Sequence, residues 1–527
     1  MFKTLLVSSV LLLGMTSIGV AQESGEQASN TQSFAATKIM ADEGDSAAQV
    51  KLGDMYRFGE GVEVNPSKAL EYYRAAADQG YGEGLVSVGF MYESGEAVEQ
   101  SYEEAVVWYR KAAEQGDATG QYYLGDMYED GKGVPKRPSK AMDYYHKAAE
   151  QGLADAQTTL GVIYHNGEIV DEDFAEAVKW YRAAVEQGEA QAQANLGDMY
   201  ELGKGVEVDV DKAIELYRKA AEQGNAFGQT SLGLMYEFGE GVDQSYSESA
   251  KWYRAAAEQG DATGQLYLGN SYEFGDGVEL DLTKATEFYR KSADQGLPNG
   301  QTSLGVMYES GLGVEQSYEE AVKWYRAAAA QGQNRGRTYL ANMYRRGDGV
   351  EQDYGEAVKL LRKAAGQGYS EAQAELGIMY EYGNGVKTDE KKAVEWYRKA
   401  ADAGNAAGQF YLGDMYQTGK GVRKSMKEAA NLYRLSAEQG DPDGQRSLGV
   451  MYEYGTGVKK SEEEAAEWFR KAAEQGDGLS QAYFADMYEY GKGVEQDMEA
   501  AEYWYQKSAD QGYEEGVKGL ERVTGEK

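Results

Sequence analysis

Apolar and small residues in this chain recur at helical spacing, and the helices they mark recur at a fixed longer interval. In AQVKLGDMYRFG, residues 48–59, Ala48, Leu52, Met55 and Tyr56 fall on one helical face. Gly59 ends that helix, because glycine adopts the left-handed C′ conformation at little cost. A GEGV turn leads to a second helical stretch, ALEYYRAAADQ, whose alanines let neighbouring helices approach closely. The closing glycine is one of a series at 44, 80, 116, 152, 188, 224, 260, 296, 332, 368, 404, 440, 476 and 512, every interval being 36 residues. Thirteen helix–turn–helix units therefore follow one another without insertion or deletion. Self-similarity at such a period marks a stacked repeat array.

With each unit numbered from its glycine, position 13 is tyrosine (Tyr56 through Tyr488), position 16 glycine and position 19 valine in all thirteen. Position 22 carries an N-cap residue in twelve units, from Asn65 and Ser101 to Ser461 and Asp497. Ser101, Ser245, Ser317, Ser425 and Ser461 have glutamate three residues on, which predicts capping boxes. Residues 33–43 align with a second helix lacking its first, and 512–523 with a first helix lacking its second, so 28 helices are expected. No single unit could bury its apolar stripe alone, and half-units suit the exposed ends of a stack. The expected fold is all-α: an α/α superhelical solenoid with half-repeat caps.

The start reads MFKTLLVSSVLLLGMTSIGVAQESG: a lysine, a short apolar core from Leu5 to Leu13, and Gly19-Val20-Ala21 as a small-residue cleavage site. This is the pattern of a secretory signal peptide over 1–21. Its core is shorter than the roughly 20 residues a membrane span requires. Residues 22–32 are expected to be a flexible linker, 33–43 a capping helix, 44–511 the repeats, and 512–527 a capping helix and tail. The chain is expected to be exported, either periplasmic or secreted, with no membrane span after cleavage.

The motif Leu-Gly-x-x-Tyr-x-x-Gly-x-Gly-Val followed by Ala-x-x-Trp-Tyr-Arg-Lys-Ala-Ala-Glu-Gln-Gly, as at Leu124–Val134 and Ala465–Gly476, resembles the Sel-one-like repeat (SLR) family, relatives of the tetratricopeptide repeat. The resemblance covers residues 33–523. It implies a superhelix lined on its concave side by first helices, and a role as scaffold or adaptor in protein assemblies, including those of the bacterial envelope. Some cysteine-rich members are linked to β-lactam binding or hydrolysis. This chain has no cysteine, so that activity is not carried over.

A second period of 72 residues overlies the first. Tryptophan stands at 108, 180, 252, 324, 396 and 468, with Trp504 as the odd one out. Position 11 alternates between Asp or Asn in odd units and large apolar residues in most even ones, while position 8 tends to tyrosine in odd units. Positions 4, 8, 11 and 15, with 7 and 14 beside them, form one helical stripe, whereas 5, 9, 12 and 13 face the stack. That stripe is expected to be the concave surface. Its candidate protein-binding residues are Asp126, Glu129, Asp198, Glu201, Glu237, Glu273, Glu309, Tyr267, Tyr339, Tyr411, Asp414, Tyr483, Asp486 and Glu489. It reads equally as a solvated acidic face, and the tryptophans read as packing.

Lys and Arg total 53 against 88 Asp and Glu, a net charge of −35, which opposes phosphate-backbone binding and excludes nucleic acid as a partner. Without cysteine there is no thiolate nucleophile, disulfide or cysteine metal site. His146 and His165 are the only histidines, and no phosphate loop, nucleophile elbow or zinc signature is present. No catalytic residue, cofactor or metal is therefore expected. The reading is a non-catalytic scaffold binding a protein partner, with an SLR-type hydrolase or a self-assembling structural rod as alternatives. One break interrupts the acidic stripe: unit nine carries Arg335, Arg337, Arg345 and Arg346, together with Ala341 in place of the usual glycine and Leu360-Leu361 in place of the aromatic pair. These arginines either pair with acidic neighbours such as Glu309 or form an anion site.

Overall fold

The structure, a computed structural model, describes residues 23–525. The segment read as a signal peptide lies outside the described residues. Twenty-eight α-helices follow one another, from α1 (Glu23–Asp42) through α2 (Ser46–Phe58) and α3 (Pro66–Asp78) to α28 (Glu514–Thr524). No strand occurs among the described residues. α1 begins at Glu23, within the segment expected as a linker, and its last part is the helix expected at 33–43. Even-numbered helices from α2 to α26 are the first helices of the thirteen units, and odd-numbered helices from α3 to α27 are the second.

The hairpin geometry follows from where orphaned helix-end groups find partners. The position-16 glycine turns left-handed, as at Gly59 (φ 81°). The carbonyl of the position-13 tyrosine then accepts a hydrogen bond from the N–H of position 22. Asn65 donates to Tyr56 at 2.7 Å, Ser317 to Tyr308 at 2.9 Å and Asp497 to Tyr488 at 3.1 Å. That bond spans a fixed number of residues, so it holds the turn length constant. The position-22 side chain caps the second helix in turn, as Asn65 does for Lys68 N–H at 3.0 Å. The capping boxes form only by half. Ser101 Oγ accepts from Glu104 N–H at 3.2 Å. The serine N–H, however, is already engaged by Tyr92 O at 2.9 Å, leaving nothing for the glutamate side chain to accept.

The helices divide into two compact units, one ending at Ala256 and the other beginning at Ala257. Within each, a second helix packs between the first helix of its own repeat and that of the next. In the first unit the inner surface is built from residues such as Leu52, Met55, Tyr109 and Leu124, and in the second from Leu304, Met307, Tyr325 and Leu376, all buried. Two polar staples recur in both. Gln at position 36 donates to Gln at position 6, as Gln79 to Gln49 and Gln331 to Gln301, at 2.8 and 3.0 Å. Arg at position 31 donates to the tyrosine hydroxyl of the next repeat, as Arg74 to Tyr92 (2.8 Å) and Arg434 to Tyr452 (3.0 Å). His146 stands where that arginine would, and its Nε2 lies 3.3 Å from Tyr164 Oη, so it keeps the staple.

The tryptophan period is a packing device. Trp180 is buried, and Trp252, Trp324, Trp396 and Trp468 lie against the core clusters of their units. A lysine covers each ring. Lys111, Lys399 and Lys471, at position 32, sit 3.9, 4.0 and 4.2 Å from the ring centroids of Trp108, Trp396 and Trp468. Where position 32 is alanine (Ala183, Ala255, Ala327), Lys179, Lys251 and Lys323 cover the ring from position 28 instead. A cation over an indole face is attracted by the ring quadrupole.

Candidate functional site

The acidic stripe is tied to the core by buried tyrosines. Position 30 of the second helix is an aromatic such as Tyr109, Tyr145 and Tyr217 in twelve of the thirteen repeats, buried to within 1% exposure, Leu361 being the exception. In eight repeats its hydroxyl reaches the first helix of its own repeat and donates to a glutamate at position 14. Tyr109 donates to Glu93 (2.6 Å), Tyr217 to Glu201 (2.7 Å), Tyr253 to Glu237 (2.6 Å), Tyr325 to Glu309 (2.7 Å) and Tyr397 to Glu381 (2.8 Å), while Tyr289 donates to Glu273. A buried phenol needs an acceptor, and the glutamate supplies it. Burial and the adjacent carboxylate push these phenols far above their ordinary range.

In units three, seven and thirteen the position-11 residue joins the same hydroxyl. Tyr145 Oη lies 2.6 Å from Asp126 Oδ1 and 2.8 Å from Glu129 Oε2, and Tyr289 Oη lies 2.8 Å from Asn270 Oδ1. One hydroxyl proton thus faces two acceptors. At the last repeat the second acceptor is served by an arginine. Arg522, from α28, gives Nε to Glu489 Oε1 (2.7 Å) and Nη2 to Glu489 Oε2 (2.6 Å), with Asp486 Oδ1 at 3.2 Å and Tyr505 Oη at 2.9 Å. Its guanidinium lies 5.8 Å from the Tyr490 ring centroid and 5.6 Å from that of Tyr505. Arg522 holds the Glu489 carboxyl below the usual range.

Four of the position-8 tyrosines pack on the position-30 ring of the preceding repeat. Tyr123 lies on Tyr109, Tyr339 on Tyr325 and Tyr411 on Tyr397, with centroids 5.2, 5.2 and 5.3 Å apart, and Tyr483 lies on Phe469 at 5.2 Å. Asp198 and Asp414 are partly buried, and burial raises both carboxyls. His165 takes position 14 in unit four. It packs against Phe174, lies 3.4 Å from Lys204 Nζ, and is lowered first by burial and then by that lysine.

Three of the four arginines of unit nine meet an acceptor on another element. Arg346 pairs with Glu309 and, at 2.7 Å, with Asp348; Arg345 lies 3.9 Å from Glu375. Arg337 occupies the position-6 glutamine site and keeps the staple with its polarity reversed, donating to Gln367 Oε1 at 3.1 Å. Arg335 lies 5.4 Å from the Tyr339 ring centroid. The drift of this unit is one coupled change. Leu361 replaces the position-30 tyrosine and packs with Ala341, both buried. Position 14 carries Arg345 here, as unit one carries Arg57, where the Tyr73 hydroxyl goes to Asp54 instead.

What the stripe does leave open is position 15. Phe58, Leu202 and Phe238 in the first compact unit, and Phe274, Tyr382, Tyr454 and Tyr490 in the second, are 40% (Phe58) to 68% (Tyr454) exposed. Each stands one residue after position 14. Pattern reading placed position 15 on the stripe without weighing its occupants, although a large apolar side chain there in most units was a signal.

Two expectations follow from the tyrosine–carboxylate bonds. Tyr217→Phe leaves Glu201 without its donor and should lower stability by about 1.5 kcal/mol, the lower end for hydrogen bonds to charged groups, read as faster amide exchange over helices 190–222. The pH profile should also be unusual. Burial raises Asp54, Glu93, Asp155, Asp198, Glu201, Glu375, Asp414, Glu453 and Asp486 above their unfolded values. On acidification the native state takes up these protons before the unfolded chain does, so stability rises as pH falls from the raised native values towards about 4. Below that, the depressed carboxyls of Asp209, Asp281, Asp389 and Glu489 reverse the trend. The melting temperature should therefore be higher at pH 5 than at pH 7.5 and fall below pH 4.

Among the described residues no group of three or more His, Asp or Glu could hold a metal ion, and no helix is long and apolar enough to cross a membrane. The Sel1 repeat model matches thirteen successive segments, from 46–81 to 479–513. A protective antigen of uropathogenic Escherichia coli strains, with an SLR fold, is 39% identical over 87% of this chain and 97% of its own, with a TM-score of 0.58. A Sel1 repeat protein of Oxalobacter formigenes is 35% identical over 59% of this chain and 89% of its own, with a TM-score of 0.42. No curated protein sequence matches the chain.

Proposed function

The chain belongs to the Sel1 repeat family, and from that premise we propose that it is an exported, non-catalytic scaffold that docks segments of a partner protein on the face of its first helices. The observation that carries this reading is the row of exposed position-15 side chains beside the position-14 carboxylates. The core does not use them, and large exposed apolar side chains set in a polar frame mark interaction surfaces. Rigid aromatic anchors with a charged surround suit a polypeptide of opposite charge. Export rests on the N-terminal signal pattern, and the description of the Escherichia coli relative as a protective antigen accords with it.

The test is crosslinking in cells followed by pull-down of the chain from residue 22 onward, repeated across salt. A defined partner whose capture weakens with ionic strength supports the reading, since exposed charges are screened within about 8–10 Å at physiological salt. Capture of nothing beyond further copies of the chain would contradict it.

A further inference from the structure

Nine units carry glutamate at position 14, and in eight of them a position-30 tyrosine donates to it; Glu453 is the exception. Its repeat has Phe469 in place of the tyrosine. The Phe469 ring lies against Gly449 much as the Tyr433 ring lies against Gly413, so the ring keeps its place and only the hydroxyl is missing. Among the described residues Glu453 accepts no hydrogen bond, and its nearest cation is Lys492 Nζ at 3.8 Å. The side chain is 19% exposed, and Tyr454 beside it is the most open residue of the position-15 row.

The following repeat shows what fits this surface. There the chain's own Arg522 grips Glu489 through Nε and Nη2 while its guanidinium lies by Tyr490, the position-15 residue. A planar guanidinium satisfies both carboxylate oxygens at once and stacks on an aromatic face, which an ammonium cannot do equally.

We propose that Glu453 and Tyr454 form a receptor for an arginine side chain of the docked partner segment, the Glu453 carboxylate taking the guanidinium and Tyr454 flanking it. The proposal rests on the reading of the first-helix face as a docking surface and names the residue type recognised there. An arginine-bearing segment also complements the net charge of −35.

The experiment uses the full chain and two labelled, end-blocked peptides, (Gly-Arg)6 and (Gly-Lys)6, titrated by fluorescence anisotropy at 150 mM salt. The arginine peptide should bind more tightly than the lysine peptide. Glu453→Gln should weaken its binding about tenfold, and Tyr454→Ala at least threefold. Phe469→Tyr, which alters no charge, gives Glu453 the donor that Glu489 has in Tyr505 beside Arg522. It should raise thermal stability and leave arginine-peptide binding within about twofold of wild type. No binding to the wild-type chain, equal binding of the two peptides, or unchanged binding in Glu453→Gln would each overturn the proposal. If Tyr454→Ala alone weakens binding, the docking face stands and the arginine receptor falls.

Discussion

Gly377→Ala should destabilise its repeat by about 2 kcal/mol. Alanine in a helix interior ordinarily gains roughly 1 kcal/mol over glycine, so the expected sign is opposite to propensity. A Cβ at Gly377 would lie 2.5 Å from Cδ1 and Cε1 of Tyr397. The ring cannot withdraw, because Tyr411 is stacked on its other side with centroids 5.3 Å apart. Inserted atoms in a closed core typically cost about 1–3 kcal/mol. Two natural repeats show the ways out. Unit nine combines Ala341 with Leu361, and unit thirteen combines Ala485 with Tyr505, whose ring lies against Gly519 where Tyr411 stands for Tyr397. Because repeat arrays are stabilised by nearest-neighbour contacts, the loss should be local. Amide exchange should quicken over residues 370–402 in the variant. Equal exchange in parent and Gly377→Ala would refute the packing argument.

Replacing Phe274, Tyr382 and Tyr454 together by alanine should abolish partner capture by the second compact unit while leaving thermal stability nearly unchanged. Central aromatic anchors commonly account for 2 kcal/mol or more each in binding. Exposed side chains away from core contacts change stability by less than about 0.5 kcal/mol. The contrast with Tyr217→Phe matters: one change should damage the fold and spare exposed surface, the other the reverse. Undiminished capture by the triple variant would remove the position-15 row from the account.

The architecture was legible because the repeat is exact in length. The invariant glycines, the twelve N-cap residues and the half-units at either end all point to the same hairpin, and each has a partner or a left-handed turn in the structure. The stripe was legible in place but not in role. Sequence periodicity puts Glu201 and Glu309 on the exposed edge of a helix, yet it cannot show that Tyr217 and Tyr325, sixteen residues later, aim hydroxyls at them. The link becomes visible in sequence only through its exceptions. Glu453 stands alone where position 30 is Phe469, and Arg57 at position 14 coexists with Tyr73 because that hydroxyl goes to Asp54. In unit nine, pairing with Glu309 is one of the two readings the sequence allows, whereas Glu375 and Gln367, which meet Arg345 and Arg337, come from elements the repeat pattern does not bring together.

The central claim is that partner segments lie on the first-helix face at position 15. The direct measurement is photocrosslinking in cells, with a photoreactive phenylalanine placed singly at Phe58, Phe238, Tyr382 and Tyr454, and at Tyr503, an exposed second-helix residue. The account predicts crosslinks to one set of partner proteins from the four first-helix positions and none from Tyr503. Crosslinks from Tyr503 with none from the four would contradict it.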